Sequence, residues 1–406
     1  MRQTKTNNIL MKLKLSILCI VFFALCNVNA QEVKTPKFGK GLFNLVGKDS
    51  TWTMKIGTRM QFLGSSIWQE GEANETNFLV RRARLKFDGF AVTPRLKYKI
   101  ELGLSNRDIS GASEFTNNAP RYILDAVIKW NFYKNFELWF GQTKLPGNRE
   151  RVVSSANMQQ VDRSLLNSRF NIDRDFGIQV RHHHKLGRNF VVREILSIAQ
   201  GEGRNITTGN LGGYQYTGRI ELLPFGKFAG KGDYKGSDLS REEKPKFALG
   251  VSYDFNHNAV KNRSNQGSYM ETDNGFYETN INTLFIDAMF KYQGFSLMAE
   301  YADRDAKDPF AKNSDGTLTG DVVQTGRGLN LQGGYLFKNN WEVSGRYTNI
   351  ELDKNITGKN PENQYTLGLS KYIVGHALKV QTDISYLDVT GSNEKIMYRL
   401  QFDIHF

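Results

Sequence analysis

Cysteine is almost absent from the sequence, since the 406 residues contain only Cys19 and Cys26. Both lie within the first 30 residues, which we expect to be removed on export, so the exported chain has none. A disulfide scaffold and a thiolate metal site are thereby excluded. Long hydrophobic runs are also missing beyond Ala30, where no segment approaches the about 18 consecutive apolar residues of a membrane-spanning helix. An exported chain of this kind can enter a membrane only as a closed barrel.

The first 30 residues have the pattern of an export signal. Lys12 and Lys14 precede an apolar run over residues 15–25, and small residues follow at the spacing of a cleavage site. This pattern predicts a secretory signal peptide over residues 1–30, cleaved after Ala30. The weakly patterned residues 31–50 are then a periplasmic lead-in.

The chain is basic, with 54 lysines and arginines against 41 acidic residues and a formal net charge of +13. Loss of residues 1–30 removes four of the basic residues and no acidic one, which leaves +9. Export argues against a nucleic-acid partner, and the positive charge favours small anions instead. No phosphate-binding Gly-Lys-Ser motif occurs, and we expect no cofactor.

The last segment, residues 394–406, separates its side chains into two faces with a period of two. One face carries Ile396, Tyr398, Leu400, Phe402, Ile404 and Phe406, and the other carries Lys395, Met397, Arg399, Gln401, Asp403 and His405. This is a strand with one apolar and one polar face. In a soluble sandwich the apolar face would contact a second sheet. In an outer-membrane barrel it would contact lipid, and the polar face would line a lumen.

The same alternation recurs along the chain and predicts sixteen strands. They are expected near residues 51–64, 78–89, 94–105, 121–133, 135–142, 173–185, 189–200, 211–223, 246–256, 280–292, 294–303, 326–337, 340–350, 363–372, 376–388 and 394–406. Long polar connections alternate with tight ones, as outer loops alternate with periplasmic turns in membrane barrels. The prediction is an all-β fold, a 16-stranded antiparallel transmembrane β-barrel over residues 51–406. The segment from Pro224 to Pro245 is an exception, because it is long where a short turn is due.

Basic residues are concentrated on the predicted inner face of the first three strands. That face carries Lys55, Arg59, Arg82, Arg84, Lys86, Asp88, Arg95, Lys97, Lys99 and Glu101. The longest predicted outer loop, residues 143–172, adds Lys144, Arg149, Arg151, Arg163 and Arg169. If this loop folds into the lumen, its guanidinium groups favour the passage of anions through a constriction. The alternative is that these charges pair across the lumen into a structural network.

Three segments resemble the phosphate-selective porin O and P family. They run from Phe78 to Leu85 (FLVRRARL), from Trp139 to Pro146 (WFGQTKLP) and from Asp173 to Ile178 (DRDFGI). Members of this family are trimeric sixteen-stranded anion channels lined by arginines and lysines. The resemblance implies an outer-membrane porin that passes small anionic solutes by diffusion, with phosphate or polyphosphate as candidates. It also implies a homotrimer embedded in outer-membrane lipid, with a constricting loop over residues 143–172 and Arg59, Arg82 and Arg84 on the nearby wall.

A metal site is suggested by His182, His183 and His184 but is not predicted. Successive residues of a strand point to opposite faces, so only His182 and His184 can share one. No third ligand lies near them in the sequence.

Two other functions remain as alternatives. An outer-membrane barrel hydrolase would need a serine or an acidic pair beside an oriented histidine, and the sequence shows no such arrangement. A cell-surface ligand-binding β protein would be a sandwich, which stays soluble without detergent. Hydrolysis by the purified protein, or its detergent dependence, would distinguish these alternatives from a pore.

Overall fold

A closed barrel of sixteen antiparallel strands forms the body of the molecule in the computed structural model, which describes residues 36–109 and 111–406. The strands are β1 Thr53–Gln69, β2 Glu75–Ala91, β3 Thr93–Gly103, β4 Ile123–Tyr133, β5 Phe136–Lys144, β6 Arg174–Leu186, β7 Phe190–Ala199, β8 Gln215–Leu223, β9 Lys246–Ala259, β10 Thr279–Tyr292, β11 Phe295–Ala306, β12 Gly326–Leu336, β13 Trp341–Leu352, β14 Glu362–Val374, β15 Leu378–Val389 and β16 Lys395–His405. Each strand pairs with the next, and β16 returns to β1 with His405 opposite Arg59. The predicted fold and all sixteen predicted strands are confirmed. The expected signal peptide, residues 1–30, lies outside the described residues.

Side chains alternate between the interior and the outside of the barrel, as the sequence predicts. On β16, Gln401 and Asp403 are 1% and 0% exposed, whereas Leu400 and Phe402 are 37% and 51% exposed. The apolar face points outward over most strands. Within the described residues, no second sheet covers this face. An outward apolar face around a polar interior is the arrangement of a barrel in lipid.

The two ends of the barrel differ in their connections. At the turn end the strands are joined tightly, as where Gln293 and Gly294 have φ values of 46° and 91° and link β10 to β11. Two successive positive φ values are those of a type I′ turn, whose twist matches that of paired strands. A short strand, Phe43–Val46, adds to the edge of β1 at this end.

At the loop end the connections are mostly long and carry small elements of their own. These are the 3-10 helix Glu114–Thr116, the helix Lys354–Thr357, and three hairpins made by Lys261–Arg263 with Gln266–Tyr269, Glu271–Thr272 with Gly275–Phe276, and Phe310–Lys312 with Leu318–Val322. The first connection differs from the prediction, which placed a loop over residues 65–77. It spans only residues 70–74, because Ile67 still pairs with Glu75. Backbone hydrogen bonds continue both strands where their side chains are small and polar.

Two segments fill much of the barrel interior. The lumen loop, residues 145–173, enters from the loop end and contains the helices α1 (Arg149–Val152) and α2 (Leu165–Phe170) and the 3-10 helix Ser155–Asn157. The inner segment, residues 224–245, enters from the turn end and contains the 3-10 helix Ala229–Tyr234. Among the described residues, no helix is long and apolar enough to cross a membrane.

Each of these segments is held by an apolar cluster as well as by polar contacts. In the lumen loop, Leu166 and Phe170 are fully buried against Phe285 and Ile350 of the wall. The Ser164 side chain caps α2 by accepting a hydrogen bond from the backbone N–H of Asn167. In the inner segment, Phe228 packs against a second cluster that includes Met289 and Met298.

Candidate channel constriction

The lumen loop crosses the barrel and is hydrogen-bonded to the wall opposite its own strand. The Arg149 Nε donates to Asp287 Oδ1 of β10 at 2.6 Å, and the backbone N–H of Glu150 donates to Glu300 of β11 at 2.6 Å. Further along, the Gln159 side chain donates to Glu342 of β13 at 2.7 Å. The loop therefore occupies the side of the lumen that faces β10 to β13.

The inner segment meets the lumen loop from the other end. The backbone N–H of Gly236 donates to the carbonyl of Asn157 at 2.6 Å. Ser237 donates to Glu342 of β13 at 2.6 Å, and Lys291 of β10 donates to the carbonyl of Lys235 at 3.0 Å. Together the two segments fill the β8 to β15 side of the barrel and leave the β1 to β6 side open.

The open side contains two cavities of about 330 Å³ each. The outer cavity reaches the loop end past Arg107 and Arg204, and the inner cavity reaches the turn end past Lys55 and Lys86. The two share Arg84, Lys99, Glu101 and Ser154 in their linings. These four residues mark the place where the cavities adjoin, between the wall and the lumen loop.

Among the charged side chains that line the two cavities, basic ones outnumber acidic ones. The outer cavity is lined by eleven basic side chains (Arg82, Arg84, Lys99, Arg107, Lys129, Lys144, Arg151, Arg163, Arg174, Arg181, Arg204) and four acidic ones (Glu101, Asp108, Asp125, Asp173). The inner cavity is lined by five basic side chains (Lys55, Arg59, Arg84, Lys86, Lys99) and two acidic ones (Asp88, Glu101). Both cavities therefore carry an excess of positive charge.

Five of the outer cations lie within 4.0 Å of one or more of the four carboxylates. Arg84 lies 2.6 Å from Asp108 and 3.0 Å from Glu101, and Lys99 lies 2.7 Å from Asp125. The others follow the same pattern: Arg174 pairs with Asp125, Arg151 pairs with Asp173, and Arg82 lies 3.9 Å from Asp108. These pairs form a network across β2, β3, β4 and β6 that fixes the shape of the wall.

The other six outer cations have no carboxylate within 4.0 Å in the described part of the chain: Arg107, Lys129, Lys144, Arg163, Arg181 and Arg204. Most are held by neutral groups. Arg163 donates to the carbonyls of Glu150 and Val153 at 3.1 and 3.0 Å, and Lys144 donates to the carbonyl of Arg151 at 2.7 Å. A carbonyl positions a cation without cancelling its charge.

An aromatic ring holds two of these cations in the same way. The Lys129 Nζ lies 3.7 Å from the centre of the Trp139 ring, and the Arg181 guanidinium lies 3.8 Å from it. Cation–π contact attracts a cation without neutralising it. The Trp139 Nε1–H donates to Glu137 at 2.8 Å, which orients the ring.

Two loop arginines of this group, Arg163 and Arg204, stay charged at neutral pH. Burial lowers the pKa of Arg163 to about 10, and burial together with the nearby Arg174 lowers the pKa of Arg204 to about 10. Both values lie well above 7, so the guanidinium groups remain protonated.

Comparison with known families identifies the barrel. The sequence profile of the family described as phosphate-selective porin O and P matches residues 61–400. The chain belongs to this family. It is an outer-membrane porin, so the loop end faces outward and the turn end faces the periplasm.

Individual relatives of this porin are distant in sequence. An uncharacterized protein of Aquifex aeolicus is 22% identical, over 96% of this chain and 98% of the relative. An anion-selective porin from Comamonas acidovorans has a TM-score of 0.53 at 11% identity, over 87% of this chain and all of that one. OmpT of Vibrio cholerae in its trimer form has a TM-score of 0.50 at 11% identity, over 87% of this chain and 99% of that one. At these identities the structural likeness shows the fold.

The structure places most of the sequence-predicted pathway residues on the open side of the porin. Arg82, Arg84, Lys99, Lys144, Arg151 and Arg163 line the outer cavity, and Arg59 and Lys86 line the inner one. Four others line neither cavity. The Arg149 side chain is 0% exposed between its own loop and β10, and Arg169 is paired with Glu362 of β14 at 2.7 Å. Arg95 and Lys97 lie exposed at the periplasmic end of β3.

Several lumen cations of this porin were missed by the sequence prediction. Arg81 is not among the predicted inward residues, because strict alternation from Arg82 would turn it outward. A β-bulge at this residue instead places Phe62 opposite Val80 and Gln61 opposite Arg82. Arg81 consequently turns inward and pairs with Asp162 of the lumen loop. A bulge leaves no clear mark in one sequence.

Arg107 and Arg204 were missed for a different reason. Both lie in outer loops, where the alternation that identifies inward residues does not apply.

Proposed function

We propose that this porin lets small anions diffuse passively through the outer membrane along the β1 to β6 wall. The observation that carries the proposal is the set of six outer-cavity cations without a carboxylate partner: Arg107, Lys129, Lys144, Arg163, Arg181 and Arg204. A cation paired with a carboxylate adds little net field to a lumen. A cation held by a carbonyl or a ring keeps its full attraction for a passing anion.

Electrolyte does not remove this attraction. The Debye length is about 8 Å at physiological ionic strength, and an ion in the outer cavity lies between the wall and the lumen loop, with cations on both. Lys129 and Arg181 belong to the wall, and Arg163 belongs to the loop. An anion is therefore attracted from two sides within the screening distance.

Phosphate is the candidate solute that the chemistry favours. A guanidinium group offers two parallel N–H donors that match two oxygens of a phosphate or carboxylate. Four of the six uncompensated cations are arginines. The family and the anion-selective porin from Comamonas acidovorans support an anionic solute of this general class.

Competition between phosphate and chloride tests this candidate. In a planar bilayer in potassium chloride, added phosphate should reduce the chloride current in a saturable manner if it occupies the arginine-lined cavity. A current that does not fall at any phosphate concentration would contradict a phosphate site and leave a general anion pore.

Passive diffusion requires no reaction, so we propose no catalytic residues and no cofactor. The hydrolase alternative is separable by experiment, because the purified porin should release no product from ester or peptide substrates. We further propose that the porin is exported by a signal peptide cleaved after Ala30, which mass spectrometry of the mature protein would show as a chain beginning at Gln31.

We also propose that the porin assembles as a homotrimer through the outward face of β1, β2 and β16. This face has an apolar groove of about 510 Å³ beside Phe78, which is 87% exposed. Within the groove, the outward Ser66 and Thr76 hydroxyls bond to each other at 3.1 Å. Hydroxyls on an outer face suit a protein neighbour better than hydrocarbon. The trimer form of OmpT supports this assembly, and native mass spectrometry in detergent would measure the subunit number.

A further inference from the structure

The three adjacent histidines of β6 are divided between the two faces of the barrel wall. His183 shares the inward parity of Arg181, whereas His182 and His184 share the outward parity of Val180, which is 38% exposed. The sequence offered these two histidines no third ligand. The neighbouring strand supplies it, because Glu194 of β7 lies directly opposite His182 in the register of the sheet.

The three side chains bring nitrogen and oxygen atoms together at the spacing of a metal site. His182 Nδ1 lies 3.1 Å from Glu194 Oε2, and His184 Nδ1 lies 3.2 Å from Glu194 Oε1. One ligand atom from each residue lies within 4.8 Å of the other two. In a tetrahedral zinc site, bonds of roughly 2.0–2.2 Å put neighbouring ligand atoms about 3.3–3.5 Å apart. The two nitrogen–oxygen distances are already close to that spacing.

One nitrogen of the cluster is unused by the protein. His184 Nδ1 is shielded from solvent and has no hydrogen-bond partner in the described part of the chain. A shielded polar atom without a partner is unfavourable unless something binds it. The atom lies 3.2 Å from Glu194 Oε1 without forming a hydrogen bond to it, so it remains able to bind a cation.

Aromatic stacking fixes the histidine rings in this orientation. The His182 ring stacks on Phe136 of β5 at 4.0 Å between ring centres, with 18° between their planes. The His184 ring stacks on His182 at 5.3 Å, with 20° between their planes. Rings that are already ordered lose little further freedom when they bind a ligand. The site lies near the periplasmic end of the wall, and its side chains are 26%, 37% and 36% exposed on the outer surface.

We propose that His182, His184 and Glu194 bind one Zn²⁺, or a similar divalent transition-metal ion, on the outer surface of the barrel near its periplasmic end. Two imidazoles and a carboxylate are ligands that Zn²⁺ accepts, and they leave a fourth position for water or another donor. The site is separated from the anion passage by the barrel wall. Its existence is therefore independent of the selectivity of the pore.

Calorimetric titration of the untagged, detergent-solubilised porin with zinc chloride tests the proposal. The expected result is saturable binding of one Zn²⁺ per chain, lost in His182→Asn and in Glu194→Gln. His183→Asn is the matched control, because it removes a histidine of the same run from the opposite face and should bind as the wild type does. His184→Asn repeats the test if either ligand variant fails to fold, as judged by its heat-dependent mobility on gels.

Two results would overturn the metal site. One is the absence of saturable zinc binding in the folded wild-type porin. The other is a loss of binding in His183→Asn as large as that in His182→Asn, since binding would then depend on the histidine run rather than on one face of the sheet.

Discussion

Arg149 and Asp287 form an ion pair in which neither side chain is exposed to solvent, with 2.6 Å between Nε and Oδ1. The arginine belongs to the lumen loop and the aspartate to β10. Asp287 Oδ2 also accepts a hydrogen bond from the Arg219 guanidinium of β8 at 2.6 Å. Burial opposes the charge on Arg149, but Asp287 and Glu221 outweigh it and raise its pKa. The sequence analysis predicted that Arg149 lies in the anion pathway. In the structure, Arg149 instead binds the lumen loop to β10.

Loss of the Arg149–Asp287 ion pair should make the lumen loop more mobile. Arg149→Gln leaves Asp287 with one cation instead of two, and breaking a buried pair typically costs roughly 3–5 kcal/mol. We expect a lower midpoint of denaturant unfolding and larger fluctuations of the single-channel current. Arg169→Gln is the control, because its pair with Glu362 is partly exposed and should contribute at most about 1 kcal/mol. Equal stability of Arg149→Gln and wild type would show that the loop is held by its apolar cluster.

The uncompensated arginines should set the selectivity. We expect the triple change Arg163→Gln, Arg181→Gln and Arg204→Gln to lower the anion-to-cation permeability ratio severalfold, since it removes three of the six cations that have no carboxylate partner. The measurement is the reversal potential in a salt gradient. The paired change Arg169→Gln with Glu362→Gln conserves net charge away from the cavities and should leave the ratio unaltered. A triple variant with the wild-type ratio would place the filter elsewhere.

The inner segment should limit the size of the pore. Replacement of residues 225–244 by a short glycine-containing turn would expose the β8 to β15 side to solution, so ions could pass farther from the positive β1 to β6 wall. We therefore expect a higher single-channel conductance together with a weaker preference for anions. The result that contradicts this role is an unchanged conductance in a variant that still folds.

The outward face of β3 should not tolerate a charge. Ile100 is 41% exposed on that face. Ile100→Arg should cost roughly 2–4 kcal/mol if the residue lies near the middle of the bilayer. Unfolding in lipid vesicles measures this cost. Lys97→Arg, an inward change of the same strand that keeps the charge, is the control. A negligible cost for Ile100→Arg would mean that this face does not contact lipid.

The fold was accessible from the sequence because one rule governs it. Every barrel strand needs a polar inner and an apolar outer face, so period-two alternation identified all sixteen strands. The rule failed where the backbone departs from regular pairing. The bulge at Arg81 reverses the parity of a basic residue, and the inner segment has no alternation from which its position in the lumen could be predicted.

The pathway was only partly accessible for a physical reason. Composition shows that a loop carries arginines, but pairing decides whether their charge reaches the solute. Arg149 and Arg163 lie in the same loop, yet the first is buried against Asp287 and the second is held by carbonyls beside the cavity. For Arg149, the deciding contact is with a residue more than a hundred positions away in the chain. No local pattern contains it.

The pathway claim is tested most directly by the reversal potential of the wild-type porin in a planar bilayer that separates two concentrations of potassium chloride. An excess of cations along both cavities predicts a potential close to the equilibrium potential of chloride. A reversal potential with the sign of the potassium equilibrium potential would contradict an anion pathway along this wall. The positive wall could not then be the surface that the permeating ions meet.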